Sequence, residues 1–140
     1  MLLLDTCVVS ELRKVPLGRA DRAVVRWARE LEDTSGFMSA VTVKELELGV
    51  LRKERSDPTQ GTVLRGWLDG LLTAFADRVL PVDQAVARQA AALHVPVSAP
   101  EADAYIAATA LVHSLSLVTR NVRDFARFDR LVVVDPWQTP

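Results

Sequence analysis

The chain has 140 residues, of which 49% are hydrophobic and 25% charged, and its formal net charge is −1. This length predicts a single domain over residues 1–140, and the near-neutral charge excludes a globally positive surface that would attract nucleic acid. The one cysteine, Cys7, excludes an intrachain disulfide and fits a reducing compartment. Because the sequence shows neither a signal peptide nor a bilayer-spanning apolar run, we expect a cytoplasmic protein without membrane association.

Short apolar runs alternate with segments of helical periodicity along the whole chain. The predicted strands cover residues 1–5, 36–40, 78–82, 115–119 and 131–135. The predicted helices cover residues 6–14, 20–33, 39–54, 62–77, 83–94 and 101–114, followed by a short helix or turn at 121–128. This alternation predicts an α/β fold with a mainly parallel sheet, and the continuously apolar strands are typical of a sheet covered by helices on both faces.

Polar residues mark where several predicted helices begin. Ser39 and Asp83 are favourable N-cap residues for the third and fifth helices. Ser98 and Glu101 have the spacing of a capping box, which predicts the start of the sixth helix. Residues 55–61, with the sequence RSDPTQG, are predicted to form a loop.

Three polar residues follow predicted strands directly or within a few residues: Asp5, Asn121 and Asp135. Because ligands of open α/β sheets bind beside the carboxyl ends of the strands, these residues are candidates for a functional site. Asp5 has a second interpretation, since aspartate is also a favoured helix N-cap.

Two further acids lie on helix faces that are partly apolar. Asp103 shares a helix face with Ile106 and Ala107, so its carboxylate points toward the expected core, where an unpaired charge is costly. Glu45 lies one turn before Leu48 on a similar face. The alternatives are a favourable interaction of Asp103 with the helix dipole and an ordinary surface position for Glu45.

Three converging carboxylates would repel one another, and a hard divalent cation would remove this repulsion. Magnesium is held by carboxylates, waters and substrate phosphates, and it can activate water for phosphoryl chemistry. The two histidines, His94 and His113, have no zinc-site spacing and are interpreted as packing or surface residues.

Five segments occur in a characteristic order: LLLDT, SAVTVKELELG, PEADAYIAATA, LSLVTRNVRDF and a closing VVDPW. In this order they resemble the PIN-domain ribonucleases, and specifically the VapC toxins of bacterial toxin–antitoxin pairs. The resemblance covers essentially the whole chain. It implies a three-layer α/β/α sandwich around a mainly parallel five-stranded sheet, with an acidic cleft that binds Mg²⁺ or Mn²⁺.

When the family's acidic residues are carried over by position, the resemblance implies that Asp5, Glu45 and Asp103 hold the metal ion and form the catalytic site. Thr6 and Thr119 are expected to orient the ligands or a water molecule from behind them.

One position departs from the family pattern. Many PIN domains carry a fourth acid where this chain has Asn121, whose amide offers a carbonyl oxygen but no charge. We predict that Asn121 is a weak or water-mediated member of the catalytic site, and the number of metal ions stays open. Asp124 is a further candidate, either supporting the site or capping or ion-pairing the last helix.

The resemblance implies hydrolysis of an RNA phosphodiester by a metal-activated water, leaving a 5′ phosphate. Arg120 is the best candidate for binding RNA because it neighbours the site, and other basic residues could steer RNA. They are Arg13, Lys14, Arg52, Lys53, Arg55, Arg123, Arg127 and Arg130.

The resemblance also implies a VapB-type antitoxin as partner and a homodimer. An apolar groove beside the first helices would receive the antitoxin, with candidates Val8, Val9, Leu12 and Val15, unless these residues are core. Three other functions stay open. They are a catalytically inactive PIN fold that binds RNA or a partner, a haloacid-dehalogenase-type phosphatase, and a phosphoacceptor receiver domain.

Overall fold

The computed structural model describes residues 1–138. The strands are β1 (Leu2–Leu4), β2 (Gly36–Ser39), β3 (Val79–Leu80), β4 (Ser116–Val118) and β5 (Val133–Val134). The helices are α1 (Thr6–Arg13), α2 (Arg22–Arg29), α3 (Ala40–Ser56), α4 (Pro58–Ala74), α5 (Gln84–Leu93), α6 (Glu101–Val112) and α7 (Val122–Phe125). In this described part of the chain, no helix combines the length and apolarity needed to cross a membrane.

The strands form one sheet in the order β3-β2-β1-β4-β5, and every neighbouring pair is parallel. Leu3 of the central strand β1 pairs with Phe37 of β2 on one side and with Leu117 of β4 on the other. The chain runs outward from β1 to β2 and β3 and then crosses to β4 and β5. The strand order therefore reverses between β1 and β4, where open α/β sheets bind their ligands.

Successive residues of β1 face opposite sides of the sheet, as strand geometry requires. Leu3 packs in a core with Ala107 of α6 and Phe125 of α7. Leu4 packs in a second core that includes Val8 of α1 and residues of α3 and α4. Helices therefore cover both faces, which confirms the predicted three-layer α/β/α sandwich with a five-stranded parallel sheet.

Two predicted helix starts are confirmed. Ser39 Oγ accepts a hydrogen bond from the backbone N–H of Thr42 at 3.2 Å, which caps α3. Asp83 Oδ1 accepts from the backbone N–H of Val86 at 3.0 Å, which caps α5. In both helices the short polar side chain satisfies a donor that the first turn leaves unpaired.

The predicted loop at residues 55–61 is wrong. α3 continues to Ser56 and α4 begins at Pro58, so only Asp57 separates the two helices. Asp57 Oδ1 accepts from the backbone N–H of Gln60 at 3.2 Å, and proline suits a first helical turn because it lacks an N–H. The residues that suggested a loop are therefore the signals that start α4.

The predicted capping box is also wrong. α6 follows Pro100 and has no side-chain cap. Instead, the hydroxyl of Ser98 lies 3.4 Å from Nδ1 of His94, and the backbone N–H of Ala99 donates to the same nitrogen at 3.1 Å. Ser98 therefore contacts the end of α5 and leaves Glu101 outside a capping arrangement.

Helices α3 and α4 lie close together at Gly61, where an added Cβ would overlap the Glu54 backbone. We expect Gly61→Ala to lower the free energy of unfolding by about 1–3 kcal/mol, because overpacking forces the helices apart. Gly66→Ala is the matched control, since nothing lies within 4 Å of its Cβ position. This control should raise stability by about 0.8–1.0 kcal/mol through helix propensity. Equal effects in chemical denaturation would contradict the close approach.

Candidate active site

Asp5 lies directly after β1 and is only 6% exposed. Its Oδ1 accepts a hydrogen bond from the backbone N–H of Thr6 at 2.9 Å and caps α1. Its Oδ2 accepts from Thr119 Oγ1 at 2.7 Å, and Thr119 is fully buried directly after β4. Asp5 is therefore a helix cap, and it also lies where the strand order reverses.

Glu45 reaches the same end of the sheet from α3. Thr6 Oγ1 donates a hydrogen bond to Glu45 Oε1 at 2.7 Å and lies 3.2 Å from Oγ1 of the fully buried Thr42. Sequence reasoning missed Thr42, although its i, i+3 spacing to Glu45 on one helix face was a usable signal. Through its N–H and its hydroxyl, Thr6 connects Asp5 to Glu45.

Asp103 lies half-buried in the first turn of α6. Burial raises the pKa of Asp103, and the negative charges of Asp124, Asp5 and Glu45 raise this pKa further, while Arg127 lowers it. Because charge interactions weaken with distance, these four carboxylates occupy one region of the protein. We call Asp5, Glu45, Asp103 and Asp124 the acidic cluster.

Asn121 is exposed and precedes α7 without a side-chain cap. Its backbone N–H donates to Thr119 Oγ1 at 3.0 Å, so its main chain joins the hydrogen bonds around Asp5. Asp124 is exposed in the first turn of α7, and among the neighbouring charges it raises the pKa of Asp103 most. Asp124 therefore supplies a fourth negative charge close to the position where Asn121 has none.

Cys7 also touches this network. Its Sγ lies 3.7 Å from Asp5 Oδ2 and 3.7 Å from Thr119 Oγ1. Burial raises the pKa of the Cys7 thiol, and the charge of Asp5 adds to this effect. Burial therefore favours the neutral thiol, and Cys7 packs against the core that contains Leu4 and Val8.

Two arginines beside the acidic cluster lie over tryptophan rings. The guanidinium of the exposed Arg120 lies 5.1 Å from the ring centroid of Trp137. That of Arg13 lies 5.9 Å from the ring centroid of Trp67. Within residues 1–138, neither arginine forms an ion pair with a carboxylate. Their charges therefore remain available to an anionic ligand.

The acidic cluster offers only hard oxygen donors, which Mg²⁺ and Mn²⁺ prefer. Among residues 1–138, no three or more histidine, cysteine, aspartate or glutamate side chains are arranged as a ready-made metal site. Magnesium usually takes only one or two protein carboxylates and keeps several waters. The chemistry of the donor set therefore suits a divalent cation that keeps several of its waters.

Known proteins resemble this chain over nearly its full length. The chain is 41% identical over 145 residues to Toxin FitB of Neisseria gonorrhoeae, covering 98% of this chain and 99% of that protein. It is 35% identical over 144 residues to VapC ribonuclease Y4jK of Sinorhizobium fredii, covering 99% of each.

Two solved structures also resemble the fold of this chain over nearly its full length. The structure of FitAB bound to an IR36 DNA fragment aligns with a TM-score of 0.87 at 35% identity, covering 100% of this chain and 98% of that chain. The crystal structure of FitAcB from Neisseria gonorrhoeae aligns with a TM-score of 0.87 at 37% identity. The alignment covers 99% of this chain and 100% of that chain. The sequence model of the PIN domain family matches residues 2–131 of the chain. The chain therefore belongs to the PIN domain family, as its sequence motifs implied.

Proposed function

We propose that this protein is the toxin of a toxin–antitoxin pair and acts as a metal-dependent endoribonuclease. The relatives named VapC ribonuclease and Toxin FitB, each aligned over nearly the whole chain, support this function. The observation that carries the proposal is the hydrogen-bonded pair of carboxylates beside the reversal in strand order. There Thr119 Oγ1 donates to Asp5 Oδ2 and Thr6 Oγ1 donates to Glu45 Oε1, both at 2.7 Å, and the charges of Asp5 and Glu45 act on Asp103. The whole chain, residues 1–140, would act as one PIN domain in the cytoplasm.

Asp5, Glu45 and Asp103 would hold the cation, with Mg²⁺ the first candidate and Mn²⁺ the second. When bound, such a cation neutralises phosphate charge and lowers the pKa of water. Asn121 would contribute through a water molecule. The charge of Asp124 adds attraction for a cation, since it already acts on Asp103.

The surrounding hydroxyls fix the carboxylates before substrate arrives. Thr119 donates to Asp5 at 2.7 Å, and Thr6 donates to Glu45 at 2.7 Å, so each carboxylate keeps one orientation. Arg120 would bind a phosphate of the RNA strand. In the reaction, a P–O bond forms from water and the P–O3′ bond breaks, which leaves a 5′ phosphate and a 3′ hydroxyl.

An apolar groove of about 260 Å³ beside α1 and α4 is proposed to receive a segment of a VapB-type antitoxin. Leu12 lines this groove together with Trp67. Val9 also lines it, but Val8 and Val9 are both buried in the core, which is the alternative expected for them. Val15, the fourth candidate, lies outside the lining. We further propose that the toxin forms a homodimer, as the resemblance to VapC toxins implies.

The experiment is incubation of purified protein, free of antitoxin, with total cellular RNA and Mg²⁺. We expect new RNA ends that carry 5′ phosphates, loss of cleavage with EDTA, and recovery with excess Mg²⁺ or Mn²⁺. Asp103→Asn protein, purified by the same procedure, is the control for contaminating nuclease. Intact RNA, or cleavage that EDTA does not change, would overturn the proposal.

The catalytically inactive alternative was based on Asn121. The charge of Asp124 acts on Asp103, so this region has a fourth carboxylate although position 121 is asparagine. Membership of the PIN domain family leaves the phosphatase and receiver hypotheses without support.

A further inference from the structure

A cavity of about 270 Å³ lies beside the acidic cluster, between α1, α3 and α4. Thr6 and Glu45 belong both to the lining of this cavity and to the hydrogen bonds of the candidate active site. The cavity therefore opens next to the position proposed for phosphodiester cleavage. Its volume lies just below the range of about 300–1,000 Å³ for small-molecule sites, so we expect it to take no more than one nucleotide.

The cationic lining of this cavity comes from the end of α1. Lys14 lines the cavity, and its Nζ forms an ion pair with Glu11 Oε1 at 3.0 Å. Arg13 has no carboxylate partner within residues 1–138, and its guanidinium lies over the ring of Trp67. Arg13 is therefore the available cation of the cavity.

Trp67 of α4 provides the aromatic wall. The ring is half-buried, and it lines both this cavity and the neighbouring apolar groove. Aromatic side chains stack on bases, and arginine binds phosphate. An arginine beside a partly accessible ring therefore matches a ligand that carries an anion and a π face together, as a nucleotide does.

We propose that this cavity binds one nucleotide of the RNA strand beside the bond that is cut, with its base against Trp67 and its phosphate on Arg13. The inference rests on the proposed function, because the strand must also reach the acidic cluster. Since every base has a π face, this contact would position the strand without reading its sequence.

The test measures binding of a fluorescein-labelled oligouridylate of about ten nucleotides to Asp103→Asn protein, by anisotropy at several salt concentrations. Trp67→Leu should weaken binding about 5- to 100-fold without changing the salt dependence, and Trp67→Phe should keep most of the affinity. Arg13→Gln should reduce the slope of log affinity against log salt by about 0.7, the value for one phosphate contact on a single strand. Arg88→Gln, exposed on α5, is the matched control and should change neither quantity.

A second measurement changes the RNA, so it does not depend on the stability of a Trp67 variant. Single abasic nucleotides are placed in turn around the bond that the parent protein cuts in a short oligoribonucleotide. One abasic position should raise KM for the parent with little change in kcat, and the same position should have a similar effect in Trp67→Phe protein, whose ring still stacks on a base. If no abasic position raised KM, the nucleotide site would be overturned.

The outcomes separate this inference from the proposed function. RNA cleavage with unchanged binding by both Trp67→Leu and Arg13→Gln would overturn the nucleotide site alone. Binding that depends on both residues, without any cleavage by the parent, would support the nucleotide site and overturn the ribonuclease proposal. Absence of both binding and cleavage would overturn both.

Discussion

Replacing Asp103 by asparagine is expected to reduce RNA cleavage at least about 100-fold and to raise the melting temperature of the metal-free protein. The loss of activity should exceed the ~10- to 100-fold cost of removing a group that only orients a metal ligand. Stability should rise because burial and the charges of Asp124, Asp5 and Glu45 disfavour the ionised Asp103 carboxylate. Asparagine keeps the shape of the side chain and removes the charge.

The sign of the pH dependence follows from the raised pKa of Asp103. Above this pKa, Asp103 is ionised in the folded parent, and burial and the neighbouring carboxylates make that charge unfavourable. The Asp103→Asn variant therefore melts at a higher temperature than the parent. As pH falls through this pKa, the parent takes up a proton and the difference in melting temperature should shrink. Thermal unfolding in EDTA from neutral to acidic pH measures both effects. A variant that melts below the parent at neutral pH would contradict the electrostatic account.

Replacing Asp5 by alanine is expected to abolish cleavage as well, but to lower the free energy of unfolding by about 1.5–5 kcal/mol. One part of this loss is the N-cap of α1, which is worth about 0.5–2 kcal/mol. The other part is the buried Thr119 hydroxyl, which loses its acceptor at a cost of about 1–3 kcal/mol. Asp5 and Asp103 should therefore change stability in opposite directions while changing activity in the same one.

Asp83→Ala is the matched control for Asp5, since Asp83 is exposed and caps α5 through a single hydrogen bond at 3.0 Å. Asp83→Ala should lower the free energy of unfolding by about 0.5–2 kcal/mol and leave RNA cleavage unchanged. Chemical denaturation and the RNA assay are run on both variants. Equal losses of stability for the two would show that the hydrogen bond from Thr119 contributes nothing.

The architecture was predictable because its signals are local. Continuous apolar strands alternating with amphipathic helices indicated a parallel sheet covered on both faces, and the caps at Ser39 and Asp83 are short-range patterns. The errors at residues 55–61 and at Ser98 have one origin. Polar and proline-rich stretches can form a loop or begin a helix, and only the contacts made by the ends, such as Asp57 with Gln60, decide which.

The sequence could propose the carboxylates of the candidate site one by one, but not the hydrogen bonds and charge interactions that join them. The hydrogen bond between Asp5 and Thr119 exists because β1 and β4 are neighbours, and periodicity carries no information on strand order. The influence of Asp124 on Asp103 depends on the packing of α7 against α6. These are long-range consequences of the fold, so composition and spacing could not supply them.

The most direct test of the central claim is anomalous diffraction from crystals of the antitoxin-free protein soaked in Mn²⁺. The account predicts an anomalous peak within direct or water-bridged distance of Asp5, Glu45 and Asp103, and its loss in Asp103→Asn crystals. A protein that cleaves RNA in Mn²⁺ while its crystals place the ion away from these carboxylates would contradict the account.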